Sequence, residues 1–337
     1  MRFARQPEKA EIFLSTPRIT VVGSYAAGLT LKVERLPASG ETVLGSGYRV
    51  DYGGKGSNQA VGCARLGADV AFIARIGNDA FGEMALQLYQ EEGIDASFIL
   101  RADHPTGVGF ILVEAGSGNN CIALDPGANE RLSAADIAER DSVLKNSTVV
   151  LTQLEIPVVA AEAALSSGRA NGAITILNPA PVRPLPDSVL QLVDVLTPNQ
   201  NEAKVLTNRD PVAEVEPEEV ACDLIRRGVK QVVMTLGERG ALVAAGSTCT
   251  HIPAISVRAV DTTGAGDAFN AGLARALASG ERLDSAAEFA VVVGGLAVRK
   301  EGVIQSLPRR EDVIQFYQER GGQPPNWLLS GDDIKHA

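Results

Sequence analysis

The residues best suited to chemistry lie at 258–270, Arg-Ala-Val-Asp-Thr-Thr-Gly-Ala-Gly-Asp-Ala-Phe-Asn. Polar and apolar side chains alternate up to Val260, small residues then crowd around two carboxylates, and an alanine-rich helical pattern follows. The pattern predicts a strand, a glycine turn and a helix start. The first turn of a helix leaves its backbone N–H groups without internal partners. Those of Gly264, Ala265 and Gly266 would therefore face outward and, with the helix dipole, hold an anion. Asp267 has the wrong charge to bind a phosphate but is the right group to take a proton from an attacking hydroxyl. Asp261, at the predicted strand end, suggests a bound cation rather than a second base. Phosphoryl transfer is the chemistry this spacing fits. A helix-capping aspartate after a packing turn would look the same in isolation, so other stretches have to decide.

Asp51-Tyr-Gly-Gly-Lys-Gly-Ser-Asn-Gln-Ala60 is the second such stretch, and it opens a helix expected to run to about Leu66. Gly53, Gly54 and Gly56 permit close backbone approach to a ligand, Lys55 brings a cation or donor, and Asn58 offers both a donor and an acceptor. Small donors beside an amide side chain suit a polyhydroxylated ligand. The stretch is not a Walker A loop, because Lys55 is followed by glycine and no glycine stands at the required offset. A Gly-Gly-x-Gly run at a helix start is equally consistent with a turn made for packing.

The elements that must position these stretches read as an α/β fold. Ile19-Thr-Val-Val-Gly23 and Asp69-Val-Ala-Phe-Ile-Ala-Arg-Ile-Gly77 are apolar runs into glycine, as buried parallel strands are, and Phe81 to Glu92 reads as a helix closed by Gly93. Further strands are expected at 147–152, 173–178, 193–197, 230–236 and 240–245. Helical patterns at 133–142, 157–170, 201–207 and 216–228 separate them, and helices at 265–279 and 283–300 follow. Strands alternating with helices imply a parallel sheet covered on both faces, with ligands bound beyond the carboxyl ends of the strands. Glu155, Asn199, Gly237 and Asp267 all follow strands and fall on that edge. Two non-helical segments, 28–52 and 104–125, interrupt the pattern and could form a small sheet beside the main domain at 18–27, 53–103 and 126–320. The second carries a hairpin around Gly116-Ser-Gly-Asn-Asn120. Residues 1–17 read as an extended lead-in and 321–337 as a loose tail.

Composition excludes several function classes. Of 337 residues, 45% are hydrophobic, which implies a folded globular protein. Lys plus Arg number 31 against 41 Asp plus Glu, a net charge of −10, so nucleic acid is not an expected partner. Apolar runs stop short of the roughly 20 residues that a membrane span needs. Met1 to Thr16 mixes Arg2, Arg5 and Lys9 with Glu8 and Glu11 and is not expected to act as a signal peptide. Cys63, Cys121, Cys222 and Cys249 are scattered with no Cys-x-x-Cys pair, which fits reduced thiols in a cytoplasmic protein better than a structural zinc.

Taken together, the motifs resemble the ribokinase or PfkB family of sugar kinases over about residues 18–318. Gly53-Gly-Lys-Gly-Ser-Asn-Gln-Ala60 matches the family's N-terminal signature and Asp261-Thr-Thr-Gly-Ala-Gly-Asp267 its C-terminal one. Gln153-Leu-Glu155, Asn178-Pro-Ala-Pro181, Thr197-Pro-Asn199 with Glu202, and Thr235-Leu-Gly-Glu-Arg-Gly240 fall between them in the family's order. Lys55 points to the ribokinase branch. The resemblance implies a three-layer αβα fold with a small β lid, formed by the two interrupting segments, and an ATP-dependent sugar kinase. Asp267 would be the base on the sugar's primary hydroxyl, and Gly264, Ala265 and Gly266 would hold charge developing on the γ-phosphoryl group.

By the same resemblance Gly54, Lys55, Gly56, Ser57, Asn58 and Glu155 would contact the sugar. Asn199 would lie at the phosphates and Glu202 would bind Mg²⁺ through water. Thr235, Leu236, Gly237, Glu238, Arg239, Gly240 and Gly266 would line ATP, with Val291 near the adenine. A monovalent cation, K⁺, would lie by Asp261, Thr263, Ala297, Lys300, Gly302 and Ser306, with Lys300 giving only its carbonyl. A homodimer through the lid is expected by analogy. Nucleoside or ketohexose phosphorylation, or a non-catalytic sugar or nucleotide sensor, are the competing functions. One departure bears on the substrate: Gly23-Ser-Tyr-Ala-Ala-Gly28 places Ala26 and Gly28 where ribokinases carry an asparagine and a hydroxyl-binding aspartate. Tyr25 is a candidate to compensate.

Overall fold

The structure is a computed structural model and describes residues 18–117 and 119–329. The expected lead-in at 1–17 and the end of the expected tail, 330–337, lie outside the described residues. The first half contains β1 (Arg18–Val22), β2 (Ala26–Val33), β3 (Gly45–Gly53), α1 (Lys55–Arg65), β4 (Asp69–Ile73), β5 (Arg75–Gly77), α2 (Ala80–Glu91), β6 (Leu100–Ala102), β7 (Gly107–Glu114) and β8 (Asn120–Asp125). Then come α3 (Ala134–Ala138), α4 (Asp141–Lys145), β9 (Val149–Thr152), α5 (Val158–Ala170), β10 (Ile174–Leu177), α6 (Asp187–Leu190), β11 (Val195–Leu196), α7 (Gln200–Leu206) and α8 (Pro217–Arg226). The chain closes with β12 (Gln231–Thr235), β13 (Ala241–Ala245), β14 (Thr248–Ile252), α9 (Ala265–Ala278), α10 (Leu283–Ala297) and α11 (Arg310–Glu319).

The main sheet has the order β14-β13-β12-β11-β10-β9-β1-β4. It is parallel from β12 to β4, but β12, β13 and β14 pair antiparallel, so the expected all-parallel sheet ends in an antiparallel edge. Successive strand residues bury on opposite faces. Ile19 and Val21 join a core with residues of α1, α9 and α10, while Val22 joins a second core with residues of α5, α7 and α8. Three layers result, as an αβα fold requires.

Helix ends follow local chemistry. Asp79 caps α2 by accepting from the Gly82 N–H, and Asn199 and Glu202 form a reciprocal capping box on α7. The centre of the packing is α9, whose residues from Asp267 to Ala278 are all buried. Small residues make that burial compatible with helices on both sides: a Cβ at Gly62 of α1 would stand 2.6 Å from Ala271, and one at Gly272 would stand 3.0 Å from Val293 of α10.

The interrupting segments meet in a second sheet of order β3-β2-β7-β8, with β2 and β7 parallel and the other pairs antiparallel. Gly28 stands opposite Asp51 of β3 and Gly109 of β7.

Three expectations are corrected. The stretch up to Val260, read as a strand leading to Asp267, pairs in none of the three sheets, the third being β5 with β6, and the N–H groups of Val260 and Asp261 bond the Val298 carbonyl at the end of α10. Its apolar alternation reflects packing on α10, where Ile255 fills the space beside Gly295, rather than strand pairing. The strand before it, β14, carries little apolar signal and was not foreseen. Helix 133–142 breaks into α3 and α4. Within the supposedly loose tail, Trp327 packs on Phe289 with ring centroids 4.9 Å apart and Leu328 is buried.

Candidate active site

Gly264 opens α9 at φ 80°, a left-handed conformation that glycine adopts without strain, and no side chain caps the helix. The Ala265 N–H turns back to the Thr262 carbonyl at 3.2 Å, so this donor, expected to face outward, is engaged. Gly266 is different: a Cβ there would meet nothing within 4 Å. Open space therefore lies directly over the first turn of the helix, where the dipole favours an anion.

Asp267, the next residue, faces the other way, toward α1, and is 5% exposed. Asn58 Nδ2 donates to its Oδ2 at 2.8 Å and Gln59 Nε2 to its Oδ1 at 2.9 Å. Gln59 is itself held by Gln153, which donates to its Oε1 at 2.6 Å, and its own amide also reaches Asn178 Oδ1 at 3.1 Å. Each carboxylate oxygen is thus fixed by one amide and retains lone pairs for a further proton donor. Asn58 Oδ1 is buried with no partner. A buried unpaired acceptor is costly, and a ligand hydroxyl beside Asp267 would satisfy it.

The N-terminus of α1 meets this network. Gly54 takes φ 89°, and a Cβ there would lie 2.7 Å from the Tyr25 Cα; one at Gly56 would lie 2.4 Å from the Ser24 N. The glycines of this motif are therefore needed for packing against the segment after β1. Ser57 is also turned inward, fully buried and accepting from the Tyr89 hydroxyl at 3.1 Å, so its side chain does not face a ligand as expected. Lys55 does face the site: the negative charge of Asp267 first, then Glu155 and Glu202, hold its ammonium above the ordinary lysine value against the effect of burial. Glu155 accepts from the Lys55 N–H at 2.8 Å and from Ser24 Oγ at 2.5 Å, which ties the strand ends to α1.

Asn199 caps α7 through its Oδ1, which accepts from the Glu202 N–H at 2.9 Å, and the Glu202 carboxylate accepts from the Asn199 N–H at 2.8 Å. Burial pushes the Glu202 carboxyl above its ordinary value, with Asp267 adding to the effect and the Asn199 bond and Lys55 opposing it. A half-buried acidic group near a lysine and a second carboxylate is a fitting holder for a hydrated divalent cation. Among the described residues no group of three or more His, Cys, Asp or Glu could hold a metal.

A cavity of about 610 Å³ opens on the far side of Gly266. Thr235, Gly237, Glu238, Gly240, Gly266 and Val291 from the expected nucleotide set line it. Leu236 and Arg239 do not: Leu236 is buried with its N–H on the Gly240 carbonyl, and Arg239 donates to Gln200 at 3.0 Å. The sequence reading missed Ile255, Val257, Phe269 and Gly295 as walls. Only Phe269, one helical turn from Gly266, carried a usable signal. Gln59 and Ser24 were also missed, although Gln59 adjoins Asn58 within the motif.

Of the expected cation set, Thr263 and Gly302 bond Asp261 directly. Its Oδ1 accepts from the Thr263 N–H at 2.9 Å and its Oδ2 from the Gly302 N–H at 3.0 Å. Burial alone would raise its pKa, but these bonds, the Thr263 hydroxyl and the charge of Arg49 hold it below the ordinary value. Ser306 is buried with its hydroxyl on the Val303 carbonyl, and the Ala297 carbonyl accepts from the Lys300 N–H at 3.4 Å. The cluster ties the turn before α9 to the loop after α10. Tyr25 does not face the site as a compensating group. Its ring lies edge-on to Tyr89 in the core, 6.2 Å between centroids, and burial raises its pKa.

Comparison with known proteins bears on this geometry. A family model described as pfkB family carbohydrate kinase matches residues 16–310. A curated ribokinase of Haemophilus influenzae is 38% identical over 89% of this chain and 98% of its own length. Among solved structures, ribokinase of Thermotoga maritima matches with a TM-score of 0.83 at 32% identity, covering 90% of this chain and all of its own. Arabidopsis thaliana ribokinase complexed with ribose and ATP gives 0.83 at 29% identity, covering 90% of this chain and 98% of its own.

Proposed function

The chain belongs to the pfkB family of carbohydrate kinases, and on that premise we propose that it transfers the γ-phosphoryl group of ATP to the primary hydroxyl of ribose or a closely related sugar. The observation that carries the reading is the placement of Asp267 and Gly266. The carboxylate lies on the α1 side among amides that suit a hydroxylated ligand, and the adjacent glycine opens on a nucleotide-sized cavity. A hydroxyl that donates to Asp267 would lie beside the unpaired Asn58 Oδ1, which a neighbouring hydroxyl of the same sugar would satisfy. As the hydroxyl attacks, its proton passes to Asp267, the bond to the leaving oxygen of ADP breaks, and the charge on the transferred group is met by the first turn of α9. Lys55, held cationic, offsets the negative charge gathered there.

Glu202 would hold Mg²⁺ through water, and the ion would supply positive charge against the phosphates. We assign the monovalent cation K⁺ to the Asp261 cluster, where the carboxylate is held ionised. The β3-β2-β7-β8 sheet is the proposed lid, and exposed Val50 and Phe110, which flank Leu29 on the face away from Gly28, support pairing of two lids in a homodimer. No described helix is long and apolar enough to cross a membrane, and all four cysteines are free; a cytoplasmic location is the proposal that accompanies them.

The test is ADP release with ATP, Mg²⁺ and K⁺ across pentoses, deoxypentoses, ketohexoses and nucleosides. Ribose or a near relative should give the highest kcat/KM. Preference for a nucleoside or a ketohexose would overturn the substrate, and no turnover on any would overturn the reaction.

A further inference from the structure

The lid sheet turns one face toward the cleft; Ile111, Ile122 and Leu124 of β7 and β8 stand on that face, but around β2 it is nearly bare. Ala26 and Gly28 of β2, Gly53 of β3 and Gly107 and Gly109 of β7 occupy paired positions on it. The charged side chains that β3 adds there are Asp51 and Arg49. Asp51 stands directly opposite Gly28, and a Cβ built on Gly28 would lie 3.8 Å from the Asp51 Cβ, which places both on the same face. The face looks toward α9: Asp51 Oδ1 is 3.5 Å from Gln305 Nε2, in the loop whose Gly302 N–H binds Asp261 and whose Val303 packs on Gly264.

We infer that Asp51 is a specificity-determining residue, the carboxylate that accepts hydrogen bonds from the ring hydroxyls of the sugar, supplied by β3 because β2 has only glycine at the facing position. The inference rests on the sugar-kinase reading above and names one residue of its recognition. Arg49 Nε donates to Asp51 Oδ2 at 2.7 Å, fixing the carboxylate's orientation, while Oδ1 has only the long contact to Gln305. A carboxylate offers about four lone-pair sites, so hydroxyl donors can be added without breaking the Arg49 bond. Space is not what keeps position 28 empty: the nearest atoms to its built Cβ are 3.6–3.8 Å away, ordinary contact. Charge is the better reason, because carboxylates on both strands would repel at this separation. One acid, on either strand, is what the face accommodates.

The experiment compares the wild type with Asp51→Ala, Gln305→Ala and the double variant Gly28→Asp/Asp51→Ala. Ribose binding is measured by calorimetry with a non-hydrolysable ATP analogue, and KM and kcat by ADP release. Asp51→Ala should weaken ribose binding at least tenfold and raise its KM similarly, with kcat within about threefold and the ATP KM unchanged. Adding Gly28→Asp should recover most of the loss, and Gln305→Ala should leave ribose affinity within twofold. Should Asp51→Ala fail to fold, Asp51→Asn, of the same size, must show the same direction. Unchanged ribose affinity in the Asp51 variants overturns the inference. So does equal weakening by Gln305→Ala without recovery by Gly28→Asp, since Asp51 would then be a latch between lid and loop. A wild type that binds ribose but releases no ADP would sink the kinase reading while these binding comparisons still decide Asp51, and a wild type that binds no pentose sinks both.

Discussion

Two helices of this protein begin alike and for different reasons. Helix α1 starts after Gly54 at φ 89° and α9 after Gly264 at φ 80°, both in glycine-rich runs and both without a side-chain cap. Around α1 the glycines are crowded, with backbone 2.4–2.7 Å from where a Cβ would sit at Gly54 and Gly56. Around α9, Gly266 faces empty space. The first run brings a helix close enough to the strand ends for Asn58 and Gln59 to reach Asp267. The second leaves a helix end open for a ligand. Similar motifs therefore divide the work into positioning and binding, and substitutions should separate the two.

The largest effect is expected at Gly54. Gly54→Ala combines a left-handed φ with a backbone clash and should cost about 3 kcal/mol or more of stability, read by urea unfolding, with activity falling in step with the folded fraction. A stable, fully active variant would show that the segment after β1 yields and that the crowding is not needed.

Gly266→Ala should do the reverse. Its methyl meets nothing in the protein, and alanine is the better helix residue, so stability should hold or rise by up to about 1 kcal/mol. The methyl would occupy the space assigned to the phosphoryl group, and kcat should fall roughly 100-fold, a loss of the size seen when one transition-state donor is removed. Equal losses of stability and activity would erase the contrast between the two helix starts.

A smaller effect sharpens the electrostatics between them. Burial first, and Asp267 after it, raise the Glu202 carboxyl above its ordinary 4.5. Between that value and the raised one the native state holds more protons than the unfolded state, so stability falls as pH rises through the window. Above the window the ionised carboxylate is a standing cost. Glu202→Gln, which can keep the bond from the Asn199 N–H, should therefore gain stability at pH 7 without Mg²⁺, by less than about 1 kcal/mol, and gain nothing near pH 4. Its Mg²⁺ dependence should weaken at the same time. A gain that persists at pH 4 would assign the effect to packing.

Both helix starts were legible because glycine beside charge is rare enough to carry meaning, and the strands from 147 to 245 were legible from apolar runs buried on both sides. Which glycines pack and which face a ligand was not legible, since that depends on what lies opposite: Ser24 for Gly56, open space for Gly266. The alternation up to Val260 misled for a related reason. A segment packed on a helix and lining a cavity shows the same period as a strand in a sheet. Ser57 reads as a ligand contact until the Tyr89 hydroxyl is found against it. Tyr25 is next in sequence to Ala26 but lies in the core, whereas the cross-strand register, invisible in the sequence, brings Asp51 opposite Gly28.

The central claim is that Asp267 is the base at a site where sugar and nucleotide meet. Asp267→Asn keeps the shape and an oxygen that accepts from one of the two amides, Asn58 or Gln59, while removing the proton acceptor. With sugar and ATP saturating, kcat should fall by roughly 10²–10⁴, while the Kd for ATP, measured by calorimetry, stays within about threefold of wild type. Turnover within tenfold of wild type would contradict the account.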